Sequence, residues 1–183
     1  MGRIVLVTGG ARSGKSEYAR RHAEGLPSPR VFVATCPAID GEMDERIRKH
    51  REARRDAGWE TIEEPLDLAR AVREARGAGV LLVDCLTLWV GNLLYEAQSL
   101  FRDVGEEEVA RRCGETLAAC RARAGGTIFV TGEVGMGVVP EEPMSRKFRD
   151  LLGRCNQVMA EGADETILVV CGLPLKLKGR GME

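Results

Sequence analysis

The stretch Gly9-Gly10-Ala11-Arg12-Ser13-Gly14-Lys15-Ser16 satisfies the pattern GxxxxGK[ST] and directly follows the apolar run Ile4-Val5-Leu6-Val7. A loop of this spacing offers its backbone N–H groups to a phosphate and aims the first turn of the next helix at it. It also sets a lysine over the β/γ oxygens and a hydroxyl toward Mg²⁺. A glycine-rich turn can match such a pattern by chance. The strand before it and a helix over Lys15 to Glu24 after it supply the required context, and the stretch reads as a phosphate-binding loop. Asp84 closes a second apolar run, Val80-Leu81-Leu82-Val83, at the position from which such proteins hold the Mg²⁺ shell directly or through water. A plain capping aspartate is the alternative, and the phosphate loop in the same chain favours the metal reading. Ser16 and Asp84 are therefore the expected metal residues, with Lys15 neutralising and orienting the phosphates.

Two further segments hold reactive types. Thr131 to Pro140 (TGEVGMGVVP) combines a strand-end carboxylate, Glu133, with glycines at 135 and 137 that let backbone approach a ligand. Glu133 can orient a hydroxyl or a metal-bound water, and a surface turn explains the segment equally well. If Met43 to Ala57 is helical, Arg46, His50 and Arg54 share one face, because residues four apart stack. Neighbouring cations keep an imidazole neutral and nucleophilic near pH 7, and the arginines can hold a triphosphate. On residue types alone, a solvated, salt-bridged helix carrying an incidental histidine has the better claim. The six basic residues from 46 to 55 are interleaved with Glu45 and Glu52, and no aromatic lies between positions 33 and 58 to stack a base, which argues against nucleic acid. His22, without such company, is expected to be exposed.

These residues need a frame. Apolar strands are expected at 3–7, 30–34, 80–83, 127–131 and 166–171, with Leu173 to Lys178 as a short tail able to pair at an edge. Helices are expected at 15–24, 43–57, 66–75, 86–95, 106–124 and 144–162. This alternation predicts a mostly parallel, doubly wound α/β sheet. Ligands gather beyond the carboxyl ends of such strands, where Gly9 to Ser16, Thr35, Asp84 and Gly132-Glu133 all fall.

The 183 residues fit one domain, 1–183, and 44% hydrophobic with 30% charged residues is an ordinary globular composition. A net charge of −1 gives no reason for a nucleic-acid or membrane partner. The six cysteines form no CxxC pair, so buried free thiols in a reducing compartment are expected rather than a metal site. The apolar segment after Met1-Gly2-Arg3 is too short for a signal peptide or membrane span, and a cytoplasmic protein is expected.

VTGGARSGKS (Val7 to Ser16), RIRKHREAR (Arg46 to Arg54), Asp84-Cys85-Leu86-Thr87 with Asn92-Leu93-Leu94, EVGMGVVP (Glu133 to Pro140) and Arg146 to Asn156 together resemble the bifunctional adenosylcobinamide kinase/adenosylcobinamide-phosphate guanylyltransferases of cobalamin biosynthesis. The likeness runs in order across nearly the whole chain. It implies a three-layer, RecA-like P-loop NTPase fold, usually a homotrimer. It also implies two activities: phosphorylation of adenosylcobinamide by a nucleoside triphosphate (ATP or GTP), then transfer of GMP from GTP through a guanylylated histidine to give adenosylcobinamide-GDP. That histidine corresponds to His50. The nucleotide contacts implied are Gly9 to Ser16, Thr35, Cys36, Pro37, Glu52, Ala53, Arg54, Arg55, Glu63 and Asp84. The competing expectations are a small-molecule kinase without the histidine step and a non-catalytic nucleotide-dependent switch.

Overall fold

The computed structural model describes residues 2–36 and 58–179. Among the described residues seven strands form one sheet: β1 (Arg3–Thr8), β2 (Arg30–Ala34), β3 (Trp59–Glu63), β4 (Val80–Asp84), β5 (Gly126–Val130), β6 (Glu165–Val170) and β7 (Leu173–Lys178). Their order is β3-β2-β4-β5-β1-β6-β7, parallel throughout except for the antiparallel β6–β7 pair. The described helices are α1 (Lys15–Glu24), α2 (Leu68–Glu74), α3 (Leu86–Ser99), α4 (Glu106–Ala122) and α5 (Pro143–Gly162).

Strands buried on both faces read as continuous apolar runs because alternate side chains serve different layers. In β1, Ile4 and Leu6 join Trp89, Leu93, Cys113 and Leu152 beneath the helices that follow β3, while Val5 and Val7 pack with Ala19 and Ala23 of α1. The result is three layers, with α1 on one side and α2 to α5 on the other.

The expected strands, and those expected helices that fall within the described residues, are present to within a few residues, and the tail pairs at the edge as β7. The largest shift is α3, which runs on to Ser99. β3 is not among the expected strands. Its sequence Trp-Glu-Thr-Ile-Glu carries two charges and a mixed burial pattern, as befits a strand at the end of the described sheet, and only its register with β2 (Arg30 opposite Trp59) reveals it. The helix expected at 43–57 lies outside the described residues.

Two expectations need correction. His22 is half-buried rather than exposed: it sits 6.1 Å from the Tyr18 ring, and desolvation lowers its pKa despite the favourable charge of Glu165. Of the six cysteines, only Cys113, Cys120 and Cys155 are buried; Cys36 and Cys85 are half-buried and Cys171 is exposed. Among the described residues no group of three or more His, Cys, Asp or Glu side chains is placed to hold a metal ion.

Candidate functional site at the strand ends

The carboxyl end of the sheet assembles the site because β1 leads into Gly9–Ser16 and α1 begins at Lys15 with Gly14 as its cap. Gly14 has φ +92° and Gly9 φ +157°. A Cβ at Gly9 would stand 2.4 Å from the Val169 carbonyl oxygen and 2.7 Å from Ser13 Oγ, so this corner accepts only hydrogen. Ser13 N–H closes the turn on the Gly10 carbonyl (3.3 Å), and Lys15 Nζ lies over the loop, donating to that same carbonyl at 3.1 Å. Ser16 is exposed in the first helical turn, where the positive end of the α1 dipole meets solvent. Ser13 Oγ is buried with no hydrogen-bond partner among the described residues.

Neighbouring strands brace the loop from both sides. Gly172 N–H, in the β6–β7 turn, donates to the Ser13 carbonyl at 2.8 Å. Just beyond β5, Thr131 N–H reaches the Val7 carbonyl (2.9 Å) and Glu133 N–H reaches the Gly9 carbonyl (3.1 Å). The backbone of Glu133 is thus tied directly to the phosphate loop. Asn156 of α5 accepts from Thr131 Oγ1 (2.7 Å) and donates to the Gly132 carbonyl (3.0 Å), and Thr87 Oγ1 accepts from Gly132 N–H (2.6 Å). The half-buried Glu133 carboxylate takes the Gly135 N–H at 2.7 Å.

Asp84, half-buried, ends β4, which β5 separates from β1. Beside it the buried Thr35 hydroxyl donates to the Cys85 carbonyl and accepts from Cys85 N–H, both at 2.8 Å. Asn92 of α3 donates to the Thr35 and Pro65 carbonyls at 2.7 and 3.0 Å, joining the ends of β2, β3 and β4. Burial pushes the Cys85 thiol pKa up, with the Asp84 charge adding to it. That environment disfavours a thiolate nucleophile. Glu63 is exposed at the end of β3, next to the buried Glu64. Burial alone would raise the Glu64 pKa, but the N–H groups of Asp67 and Leu66 together with Arg70 outweigh it and hold the carboxyl below its ordinary value.

The structure therefore brings Gly9, Gly10, Ala11, Arg12, Ser13, Gly14, Lys15, Ser16, Thr35, Cys36, Glu63 and Asp84 to one edge of the sheet. Pro37, His50, Glu52, Ala53, Arg54 and Arg55 lie outside the described residues. The bracing roles of Thr87, Asn92, Asn156 and Gly172 were not read from the sequence. A polar residue interrupting the apolar face of α3 or α5 was the available signal.

A phosphate loop between parallel strands, with carboxylates at the adjoining strand ends, defines a P-loop nucleotide-binding protein of the three-layer α/β class. The chain belongs to the cobinamide kinase / cobinamide phosphate guanyltransferase family, which matches residues 5–177. It is 45% identical to the bifunctional adenosylcobalamin biosynthesis protein CobP of Pseudomonas aeruginosa over 95% of this chain and 96% of that protein. It is 40% identical to the bifunctional protein CobU of Salmonella typhimurium over 96% of this chain and 99% of that one. Among solved structures, a KaiC-like protein of Pyrococcus horikoshii shares the fold with a TM-score of 0.53 at 15% identity, covering 98% of this chain and 80% of its own.

Proposed function

We propose that this protein phosphorylates the aminopropanol hydroxyl of adenosylcobinamide with ATP or GTP. It then transfers GMP from GTP, through His50, to that phosphate, giving adenosylcobinamide-GDP and pyrophosphate. Family membership supports the pair of reactions. The observation that carries the shared site is the hydrogen bond from Glu133 N–H to the Gly9 carbonyl, which makes the phosphate loop and a strand-end carboxylate one unit.

In the first reaction the substrate oxygen attacks the γ-phosphorus, the bond to the β,γ-bridging oxygen breaks, and the nucleoside diphosphate leaves. Lys15 and the loop N–H groups offset the charge that moves onto the bridging oxygen. Glu133 orients the hydroxyl and takes its proton. In the second, an imidazole nitrogen of His50 attacks the α-phosphorus of GTP and pyrophosphate leaves into the same cradle. An oxygen of the new substrate phosphate then attacks the phosphoramidate, the P–N bond breaks, and the imidazole is released. Thr35, Cys36, Pro37, Glu52, Ala53, Arg54, Arg55 and Glu63 complete the nucleotide contacts.

Ser16 and Asp84 are oxygen donors, and one hydroxyl plus one carboxylate suit a Mg²⁺ ion that keeps several waters and binds largely through phosphates. Mg²⁺ bound there would neutralise phosphate charge. The chain acts as one domain in the cytoplasm and assembles as a homotrimer. The exposed Leu173, Leu175 and Leu177 on edge strand β7 offer apolar surface for contact between copies.

The test is incubation with adenosylcobinamide, ATP, GTP and Mg²⁺, with products separated by chromatography. Successive appearance of adenosylcobinamide phosphate and adenosylcobinamide-GDP is expected. Nucleotide binding without either product would overturn the reading in favour of a switch, and arrest at the phosphate would leave only a kinase.

A further inference from the structure

Beyond Glu133 the chain exposes an unusual run of apolar side chains. Met136 is 83% exposed and Val138 95%, with Val134 and Val139 also in solvent. Contiguous exposed apolar surface marks a binding face more often than chance. This one is continuous with the phosphate loop: Gly9 holds Glu133 N–H, and Glu133 holds Gly135 N–H.

Against Gly135 opens a recess of about 340 Å³ whose polar lining includes Glu106 of α4 and Arg149, Asp150, Arg154 and Gln157 of α5. The lining mixes donors and acceptors: two guanidiniums, two carboxylates and a carboxamide. A site for phosphate would favour donors. A mixture of donors and acceptors matches neutral primary amides, each of which offers N–H and C=O.

We propose that Val134 to Val139 and this recess form the corrinoid site, the macrocycle lying on the apolar loop and its peripheral carboxamides entering the recess. The inference rests on the corrinoid reading of the previous subsection and assigns its substrate a place. Distances agree. Gly135 is two residues from Glu133, at most about 7 Å along the chain. The arm from a corrin ring to the aminopropanol hydroxyl spans roughly 9 Å, under three residues of extended backbone. A ring seated on the loop can therefore present its hydroxyl beside Glu133 and the γ-phosphate.

The experiment compares wild type with Met136→Ser/Val138→Ser and with Arg154→Ala. It measures the Kd for adenosylcobinamide alone by equilibrium dialysis, the KM for corrinoid and for nucleotide, and sedimentation. Both variants should weaken corrinoid binding and raise its KM at least tenfold, with nucleotide KM and sedimentation unchanged. Unchanged corrinoid affinity in both variants of an enzyme that turns over normally would overturn the assignment. So would altered sedimentation with unchanged corrinoid affinity, which would make the loop a contact between copies. Failure of wild type to bind or phosphorylate adenosylcobinamide at all would defeat the functional reading itself, and this inference with it.

Discussion

Replacing Asn156 with alanine tests how the site is held together. Its side chain accepts from Thr131 Oγ1 at 2.7 Å and donates to the Gly132 carbonyl at 3.0 Å. Thr131 is fully buried, so its hydroxyl has little access to solvent. A buried polar group left unpaired costs about 1–3 kcal/mol. With two groups affected, and partial rescue by water entering beside the half-buried helix position, the variant should lose about 2–4 kcal/mol in urea unfolding. The same bonds fix the root of Glu133, and displacement of a reacting group by about 1 Å costs on the order of 100-fold in rate. Phosphorylation kcat should therefore fall roughly 10- to 100-fold. Nucleotide KM should change little, because Gly172 and β1 hold the loop independently. Asn156→Asp keeps the acceptor for Thr131 but sets a carboxylate oxygen against the Gly132 carbonyl, so it should be no more stable than the alanine variant. A stability loss below about 0.5 kcal/mol with kcat within about twofold of wild type would refute the reasoning.

A pair of glycine substitutions separates the crowded corner of the loop from its open one. Gly9→Ala puts a methyl 2.4 Å from the Val169 carbonyl and should cost at least about 2 kcal/mol in unfolding and weaken nucleotide binding in calorimetry. Gly10→Ala meets nothing within 4 Å and should leave stability within about 0.5 kcal/mol of wild type. Thermal unfolding should also depend on pH in two stages. The His22 pKa is depressed by burial, so the unfolded chain binds this proton more tightly, and stability present above the unfolded value of about 6.5 should decline as pH falls through the folded one. Glu64, Asp164 and Glu165 are held below their ordinary values, Asp164 mainly by Arg121, and Glu165 by Lys176 and Arg3 against the opposing effect of burial. Their contribution is complete above the unfolded carboxylate range near 4 and should be lost as pH falls through their lower folded values. His22→Gln should remove the first stage and spare the second. A Tm rising between pH 7 and 5 would contradict the His22 assignment.

How far the sequence could be read follows from where each signal originates. The phosphate loop, α1 and the strands buried on both faces were legible because their pattern is local: a spacing of glycines and a run of branched apolar residues. The convergence of Thr35, Asp84 and Glu133 followed from parallel topology alone. β3 escaped because its five residues alternate weakly and owe their conformation to pairing with β2. The bracing by Asn156 and Thr87 escaped for a similar reason, since their partners lie 24 or more residues away in sequence. The half-burial of His22 is not legible because the charged groups around it, Glu165 of β6, Arg3 of β1 and Lys176 of β7, come from strands its own helix does not reveal.

The central claim is that one triphosphate cradle serves both transfers, with His50 carrying GMP between them. The most direct measurement is mass spectrometry of tryptic peptides after exposure to GTP and Mg²⁺, for wild type, His50→Ala and Lys15→Ala. The account predicts one GMP added at His50 in wild type and no adduct in either variant. An adduct on another residue, or an undiminished adduct in Lys15→Ala, would contradict it.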